Sequence, residues 1–169
     1  NGAAFMSYNN YLAYLSGSNI TLEGNDLSFA TSSSYYMRGI YAYTCSDITL
    51  RKNKLTLRDN SIQRGYYIYG LQSVNSKDIT LENNIIDIRG NNARSIYGIL
   101  STTSNAALDN ETVKNNTIFL RSNYPYNRYL TGIYTSQLAH LNVRNNIIDL
   151  GTLSSYYSKP CYISYYTTS

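Results

Sequence analysis

The sequence predicts an all-β fold, a parallel β-solenoid of five to six rungs that forms one domain over residues 1–169. Three observations support this prediction. Short phrases recur about every 30 residues, a repeat length typical of solenoids. Within each phrase apolar and polar residues alternate with period 2, which predicts strands and excludes amphipathic helices. Every repeat also contains an asparagine, and these stand at Asn25, Asn53, Asn84, Asn116 and Asn146.

Each repeat contains three short strands. A phrase such as Ile20–Leu22 stands just before the asparagine, and a second alternating phrase such as Leu27–Phe29 follows it. A phrase of the Ile-Tyr type, as at Ile40–Tyr41, precedes both. Repeats this short leave little room for a helical crossover. We therefore expect each strand to pair in parallel with its equivalent one turn later, ~4.8 Å away, with residues 101–110 and 123–128 inserted into turns.

The inward positions of these strands form apolar columns. The expected columns are Ile20, Ile48, Ile79 and Leu141; Leu22, Leu50, Leu81, Val113 and Val143; Leu27, Leu55, Ile86, Ile118 and Ile148; Phe29, Leu57, Ile88, Leu120 and Leu150; and Ile40, Ile68, Ile96 and Ile133. Glu111 stands where the first column needs an apolar residue, so we expect its strand to bulge outward. An outward column of Glu23, Arg51, Glu82, Lys114 and Arg144 largely alternates in charge, which favours the register because opposite charges attract across adjacent strands.

The recurring asparagine lies where the chain bends between two strands. Asparagine tolerates the left-handed backbone conformation that a sharp turn requires. Stacked amide side chains can also hydrogen-bond from one rung to the next. We therefore expect these five residues to form a structural ladder rather than a binding site.

Two of the repeat phrases, "SNITLEGNDL" and "SKDITLENNIIDI", carry a resemblance to known proteins. From about Tyr11 to Tyr165 the chain resembles the right-handed parallel β-helix repeats of the pectin-lyase-like superfamily. It is especially similar to archaeal and bacterial adhesin-like surface proteins. The resemblance implies an extracellular or cell-surface location and a segment of a longer surface protein. That superfamily includes lyases, hydrolases, phage tailspikes and non-catalytic adhesins, so it implies a fold and not an activity.

Composition and charge argue against several partners. The net charge is +4, and its 14 Lys and Arg residues are scattered, so no nucleic-acid track is expected. No apolar run approaches the ~18 residues that span a bilayer. Neither metal nor cofactor is expected, since no Cys, His and Asp cluster has ligand spacing. Cys161 takes the place of Ile40 four rungs later, too far from Cys45 for a disulfide.

Asp87 and Asp149 are the weak catalytic candidates. Both point outward from the strand after the asparagine, two rungs and roughly 9.6 Å apart. That distance is at the edge of the separation used by inverting glycosidases. Phe119 lies between them, and we interpret both as solvated surface carboxylates. His140, the single histidine, has no Ser or Cys at a triad spacing and is expected at the surface.

Twenty tyrosines are the most unusual feature of the composition. In each Ile-Tyr phrase the isoleucine points inward, so the tyrosine points outward. The expected exposed ladder is Tyr41, Tyr69, Tyr97, Tyr134 and Tyr162, and the turns before it add Tyr35, Tyr36, Tyr66, Tyr67, Tyr129, Tyr156 and Tyr157. Strand propensity explains one such column, but it does not explain tyrosines in turns. We therefore predict a ligand-binding face centred on the ladder together with Tyr36 and Tyr67.

The predicted function is binding without catalysis. Rigid aromatic rings with polar hydroxyls suit a glycan or a surface protein as partner, which favours adhesion. The second interpretation is a structural building block of a surface layer or filament, with end-to-end or lateral self-association. The third is a polysaccharide lyase or glycoside hydrolase with an atypical active site.

Overall fold

The structure is a computed structural model that describes residues 9–31, 36–60, 66–103, 110–123, 129–136, 140–151 and 157–164. The strands of these residues are β1 (Asn9–Glu23), β2 (Asp26–Thr31), β3 (Tyr36–Arg51), β4 (Lys54–Asp59), β5 (Tyr66–Val74), β6 (Lys77–Glu82), β7 (Ile85–Gly90), β8 (Ala93–Thr102), β9 (Asn110–Lys114), β10 (Thr117–Ser122), β11 (Tyr129–Ser136), β12 (His140–Arg144), β13 (Ile147–Asp149) and β14 (Tyr157–Ser164). The described residues contain no helix that is long and apolar enough to cross a membrane.

The strands stack in parallel on three faces. The first face contains the N-terminal parts of β1 and β3, then β5, β8, β11 and β14. The second face contains the C-terminal parts of β1 and β3, then β6, β9 and β12. The third face contains β2, β4, β7, β10 and β13. The chain is therefore a parallel β-solenoid, as predicted, with about four turns rather than five to six rungs.

The core columns of the second and third faces are confirmed. Ile48 pairs with Ile79, and Leu55 pairs with Ile86, which in turn pairs with Ile118. Side chains in the middle of the third face, among them Leu57, are fully buried. Burial of such a side chain contributes about 1.5–3 kcal/mol, so these columns account for much of the stability of the fold.

Glu111 does not bulge outward. It pairs in regular register with Ile79 on one side and Leu141 on the other, and it is 2 % exposed. Because the backbone ladders on both sides of β9 hold the strand in place, the side chain points into the core.

The core column of the first face differs from the prediction. Met37 pairs with Ile68, and Ile40 pairs with Leu71. The two inward columns are therefore Met37, Ile68, Ile96 and Leu130, and Ile40, Leu71, Ile99 and Ile133, with Cys161 ending the second. The predicted column of Ile40, Ile68, Ile96 and Ile133 mixed the two.

Glycines between these columns explain the register. Gly39, Gly70, Gly98 and Gly132 stack on one another in successive rungs. A Cβ atom on Gly39 would lie 2.5 Å from the carbonyl oxygen of Gly70, and one on Gly98 would lie 2.6 Å from that of Gly132. Adjacent rungs approach too closely here for any side chain. The inward residues flanking each glycine are three apart instead of two, which a strict period-2 reading does not detect.

The asparagine ladder is confirmed with one correction. Asn84 donates from both its backbone nitrogen and Nδ2 to Oδ1 of Asn116, at 3.0 Å each, and the same pattern joins Asn116 to Asn146. Nδ2 of Asn84 also donates to the carbonyl oxygen of Leu50 at 2.9 Å. The left-handed residue is the one before each ladder asparagine: Gly24, Lys52, Asn83, Asn115 and Asn145. The ladder residues are thus held by amide bonding and not by a left-handed turn.

The predicted turn insertions are described only at their margins. Residues 101 and 102 belong to β8, and Asn110 begins β9. Positions 104–109 and 124–128 lie outside the described residues, as do Tyr35, Tyr156 and Tyr165.

Candidate functional site: a tyrosine surface on the first face

Three outward columns run along the first face. The entry column, which stands before the others along each strand, is Tyr36, Tyr67, Ser95, Tyr129 and Tyr157. The central column is Tyr11, Arg38, Tyr69, Tyr97, Thr131 and Lys159. The exit column, beyond the glycines, is Tyr14, Tyr41, Gln72, Leu100, Tyr134 and Tyr162.

The predicted single ladder of five tyrosines is therefore wrong in register. Tyr69 and Tyr97 belong to the central column, whereas Tyr41, Tyr134 and Tyr162 belong to the exit column. The error has the same physical cause as the core error. An Ile-Tyr phrase stands before the glycine at Ile68–Tyr69 but after it at Ile40–Tyr41, and the glycines set the alignment.

The rings nevertheless form one unbroken path across the columns. Tyr36 stacks on Tyr67 with ring centroids 5.6 Å apart, and Tyr67 lies 6.3 Å from Tyr69 with nearly parallel planes. The path continues from Tyr69 to Tyr97 at 5.5 Å, from Tyr97 to Tyr134 at 6.0 Å edge to face, and from Tyr134 to Tyr162 at 5.1 Å. These distances fall in the range of favourable aromatic pairs. The surface formed by these rings, with Tyr41, Tyr129 and Tyr157, is called the tyrosine surface below.

Arg38 connects Tyr41 to the rest of this surface. Its guanidinium carbon lies 4.9 Å from the ring centroid of Tyr41, 5.1 Å from that of Tyr36 and 5.6 Å from that of Tyr69. Its Nε also donates to Oε1 of Gln72. The cation occupies the position that a tyrosine takes in the next rung, and cation–π attraction holds the rings around it. Sequence reasoning missed this residue, although alignment on Gly39 and Gly70 would have placed it beside Tyr69.

Exposure varies strongly over the tyrosine surface. Tyr69 is only 8 % exposed because neighbouring rings cover it, while Tyr157 is 55 % exposed. Burial raises the pKa of Tyr97 to about 12 and raises the pKa of Tyr69 well above its usual value. Both phenols therefore remain neutral hydroxyls at physiological pH, available as hydrogen-bond donors and acceptors.

A cleft of about 630 Å³ opens at the β11–β14 end of the tyrosine surface. Tyr129 and Tyr157 line one side of it with stacked rings 5.5 Å apart. Tyr134 and Tyr162 line the opposite side, and Thr131 lies between the two pairs. The volume is within the ~300–1,000 Å³ range of small-molecule sites.

The aspartate pair lies on a different face. Asp87 and Asp149 each pair with Phe119 on the third face, so the aromatic ring separates them as expected. Arg58 binds the carboxylate of Asp87, and Arg121 binds both oxygens of Asp149, at 3.0 and 2.6 Å. The Arg121 guanidinium lowers the pKa of Asp149, whereas a general acid for glycoside hydrolysis needs a raised pKa. These carboxylates fit ion pairs with the adjacent arginines.

The remaining candidates have ordinary surroundings. His140 is exposed at the start of β12. Cys45 is buried and Cys161 is exposed four strands away on the first face; both are free thiols. Among the described residues, no group of three or more His, Cys, Asp and Glu could hold a metal ion.

Comparison with protein-family models, curated proteins and solved structures gives no match. The functional assignment therefore depends on the geometry of the tyrosine surface.

Proposed function

We propose that this chain is a non-catalytic, extracellular binding module that holds a glycan or a surface protein through its tyrosine surface and acts in adhesion, as its resemblance to adhesin-like β-helix proteins implies. The observation that best supports this proposal is the unbroken path of ring contacts from Tyr36 to Tyr162. Stabilisation of the sheet alone accounts for contacts within a column. It does not account for rings that continue across columns and border an open cleft.

A glycan is the partner that this chemistry suits best. Pyranose rings have apolar C–H faces that stack on aromatic rings, and hydroxyls that pair with neutral phenols. The rings on β3, β5, β8 and β11 stand on strands fixed by ladders on both sides, so little conformational entropy of these rings is lost on binding. In the cleft, Thr131 and Thr102 add further hydroxyls beside the aromatic walls.

A glycan array with the purified chain tests this proposal. We expect binding to a restricted set of glycans. Binding of none, together with release of reducing or unsaturated sugars from polysaccharides, would favour the enzyme interpretation instead.

Self-association is a second candidate function, favoured by the exposed edge of β13. Ile147 is 64 % exposed there, and among the described strands β13 pairs only with β10 on the third face. An unpaired edge with an apolar side chain is a site for pairing with another chain. A structural block of a layer or filament would use this edge.

A further inference from the structure

The central column has no aromatic ring at the position that follows its two stacked tyrosines. Tyr69 and Tyr97 fill two successive rungs of that column with stacked rings 5.5 Å apart. The next residue of the column is Thr131, which is 3 % exposed. The columns on both sides keep their tyrosines at this level, in Tyr129 and Tyr134.

This position forms a recess at the centre of the cleft, between the tyrosines of the entry and exit columns. Tyr97 closes one end of it, and Thr131 forms the floor. Two stacked tyrosine pairs form its sides, Tyr129 with Tyr157 and Tyr134 with Tyr162. In the rung below, the Tyr97 ring occupies the equivalent position, and the Tyr134 ring packs edge to face on it at 6.0 Å, so a ligand ring would lie between the two tyrosine pairs and not on the Tyr97 stack.

A cation stands at the opposite end of the recess. Lys159 is the next residue of the central column, and its Nζ lies 4.1 Å from the ring centroid of Tyr162. It is exposed, and the described residues that line the cleft include no Asp or Glu. Within the described chain, Lys159 forms no ion pair with a carboxylate.

We infer that this recess is a subsite for a single sugar ring that carries an anionic substituent, a carboxylate or a sulfate, with the ring between the tyrosine pairs and the anion on Lys159. The inference rests on the proposed function and adds the ligand's charge and its position. A charged hydrogen bond is stronger than a neutral one, so the substituent determines which sugar is preferred.

Two variants test the position and the charge separately. Thr131→Tyr supplies the missing ring and fills the recess, in a column that already accepts tyrosine at Tyr69 and Tyr97. Lys159→Gln removes the cation and keeps a side chain of similar reach. Phe119→Ala on the third face is the control, since it removes an exposed aromatic ring far from the recess.

The probes are a neutral oligosaccharide and two matched oligosaccharides that carry a carboxylate or a sulfate, measured by calorimetry. We expect the wild type to prefer an anionic probe and Lys159→Gln to lose about tenfold in affinity for it, with neutral binding unchanged. We expect Thr131→Tyr to lose at least about tenfold for all probes. The two anionic arms show which substituent is recognised.

The outcomes separate this inference from the proposed function. Equal affinity for neutral and anionic probes, or full binding by a folded Thr131→Tyr variant, overturns the subsite and leaves the tyrosine surface as a binding face. Binding of no oligosaccharide by the wild type overturns both the subsite and the proposed recognition of a glycan. If Thr131→Tyr does not fold, Tyr129→Ser removes one wall instead, in a column that already contains Ser95, and must weaken binding of the anionic probe.

Discussion

At the scale of single residues, glycine rather than tyrosine fixes the geometry of the tyrosine surface. Each glycine between the central and exit columns allows adjacent rungs to approach to a distance that a Cβ atom would prevent. The outward residues that flank each glycine are thereby set three apart, so the tyrosines of the central column lie on one side of the glycines and those of the exit column on the other. The guanidinium of Arg38 lies between tyrosines of these two columns and contacts the rings of Tyr69 and Tyr41.

Gly98→Ala should destabilise the fold by roughly 1–3 kcal/mol. The new Cβ would lie 2.6 Å from both the carbonyl oxygen of Gly132 and Cγ2 of Ile118, and neither can move freely. Equilibrium unfolding in urea measures the change. Ser28→Ala, at an exposed position of β2, is the control and should stay within about 0.5 kcal/mol of wild type. An equally stable Gly98→Ala protein would contradict the proposed close approach.

The Tyr97 phenol should ionise at higher pH than an exposed tyrosine. Burial raises its pKa to about 12, against about 10 for an unperturbed phenol. Because the folded-state pKa is raised, its contribution to stability is fully present below about pH 10 and is lost as pH rises towards 12. The difference in tyrosinate absorbance between wild type and Tyr97→Phe should appear near pH 12. A difference that appears near pH 10 would show that Tyr97 is solvated.

At the scale of strands, the sequence predicts the second and third faces well and the first face poorly. Phrases such as Ile48–Leu50 and Leu55–Leu57 alternate strictly, and an asparagine in every repeat fixes their alignment. The first face has the repeated Ile-Tyr phrase, but its glycine interrupts the alternation. The alternation of residues therefore predicts correctly that the tyrosines point outward, but it assigns tyrosines of the central and exit columns to a single column.

The cleft could not be predicted for a related reason. It depends on Thr131, which belongs to the column of Tyr69 and Tyr97. Repeats aligned by their Ile-Tyr phrases do not reveal that a threonine occupies this column. Lys159 was missed because Pro160 stands where β3, β5, β8 and β11 have glycine, which hides the repeat in β14. Alignment on the glycine column would have recovered Thr131, which directly precedes Gly132, but not Lys159.

The asparagine ladder should be the most sensitive element of the turns. Asn84 is 1 % exposed and accepts hydrogen bonds from both the backbone nitrogen and Nδ2 of Asn53. Asn84→Ala removes the acceptor of both Asn53 donors and the donor to the Leu50 carbonyl oxygen, all of them buried. The loss should cost about 2–4 kcal/mol of unfolding free energy. Asn83→Gly is the control: Asn83 is exposed and has φ 55°, a conformation that glycine adopts readily. This variant should change the free energy of unfolding by less than about 1 kcal/mol. Urea unfolding of both variants checks this, and similar losses for the two would contradict the ladder's role.

At the scale of the whole molecule, the coil is well packed in its middle and less covered towards its outer rungs. Ile118 is fully buried in β10, whereas Ile148, which pairs with it from β13, is only half-buried. Within the described part of the chain, apolar side chains at this edge are partly uncovered, as the proposed self-association requires.

Ile147→Lys should reduce self-association of the purified chain, since a charge on an edge strand discourages pairing. Ile85→Lys is the matched control, because Ile85 belongs to the same outward column in the middle of the coil, next to Lys54. Sedimentation velocity over a concentration series compares them. Oligomers that persist in Ile147→Lys, or that disappear equally in the control, would show that this edge is not the contact.

The central claim is that the tyrosine surface is the binding site, and the affinity of a double variant for an array-identified glycan tests it most directly. Tyr69→Ala with Tyr97→Ala removes the two central rings of the path, at a stability cost above the ~1 kcal/mol of an aromatic pair because Tyr69 is also buried. Thermal unfolding establishes that the variant is folded, and Phe119→Ala serves as the control. We predict that the double variant loses binding by more than about a hundredfold while Phe119→Ala binds like the wild type. Undiminished binding by the folded double variant would contradict the account.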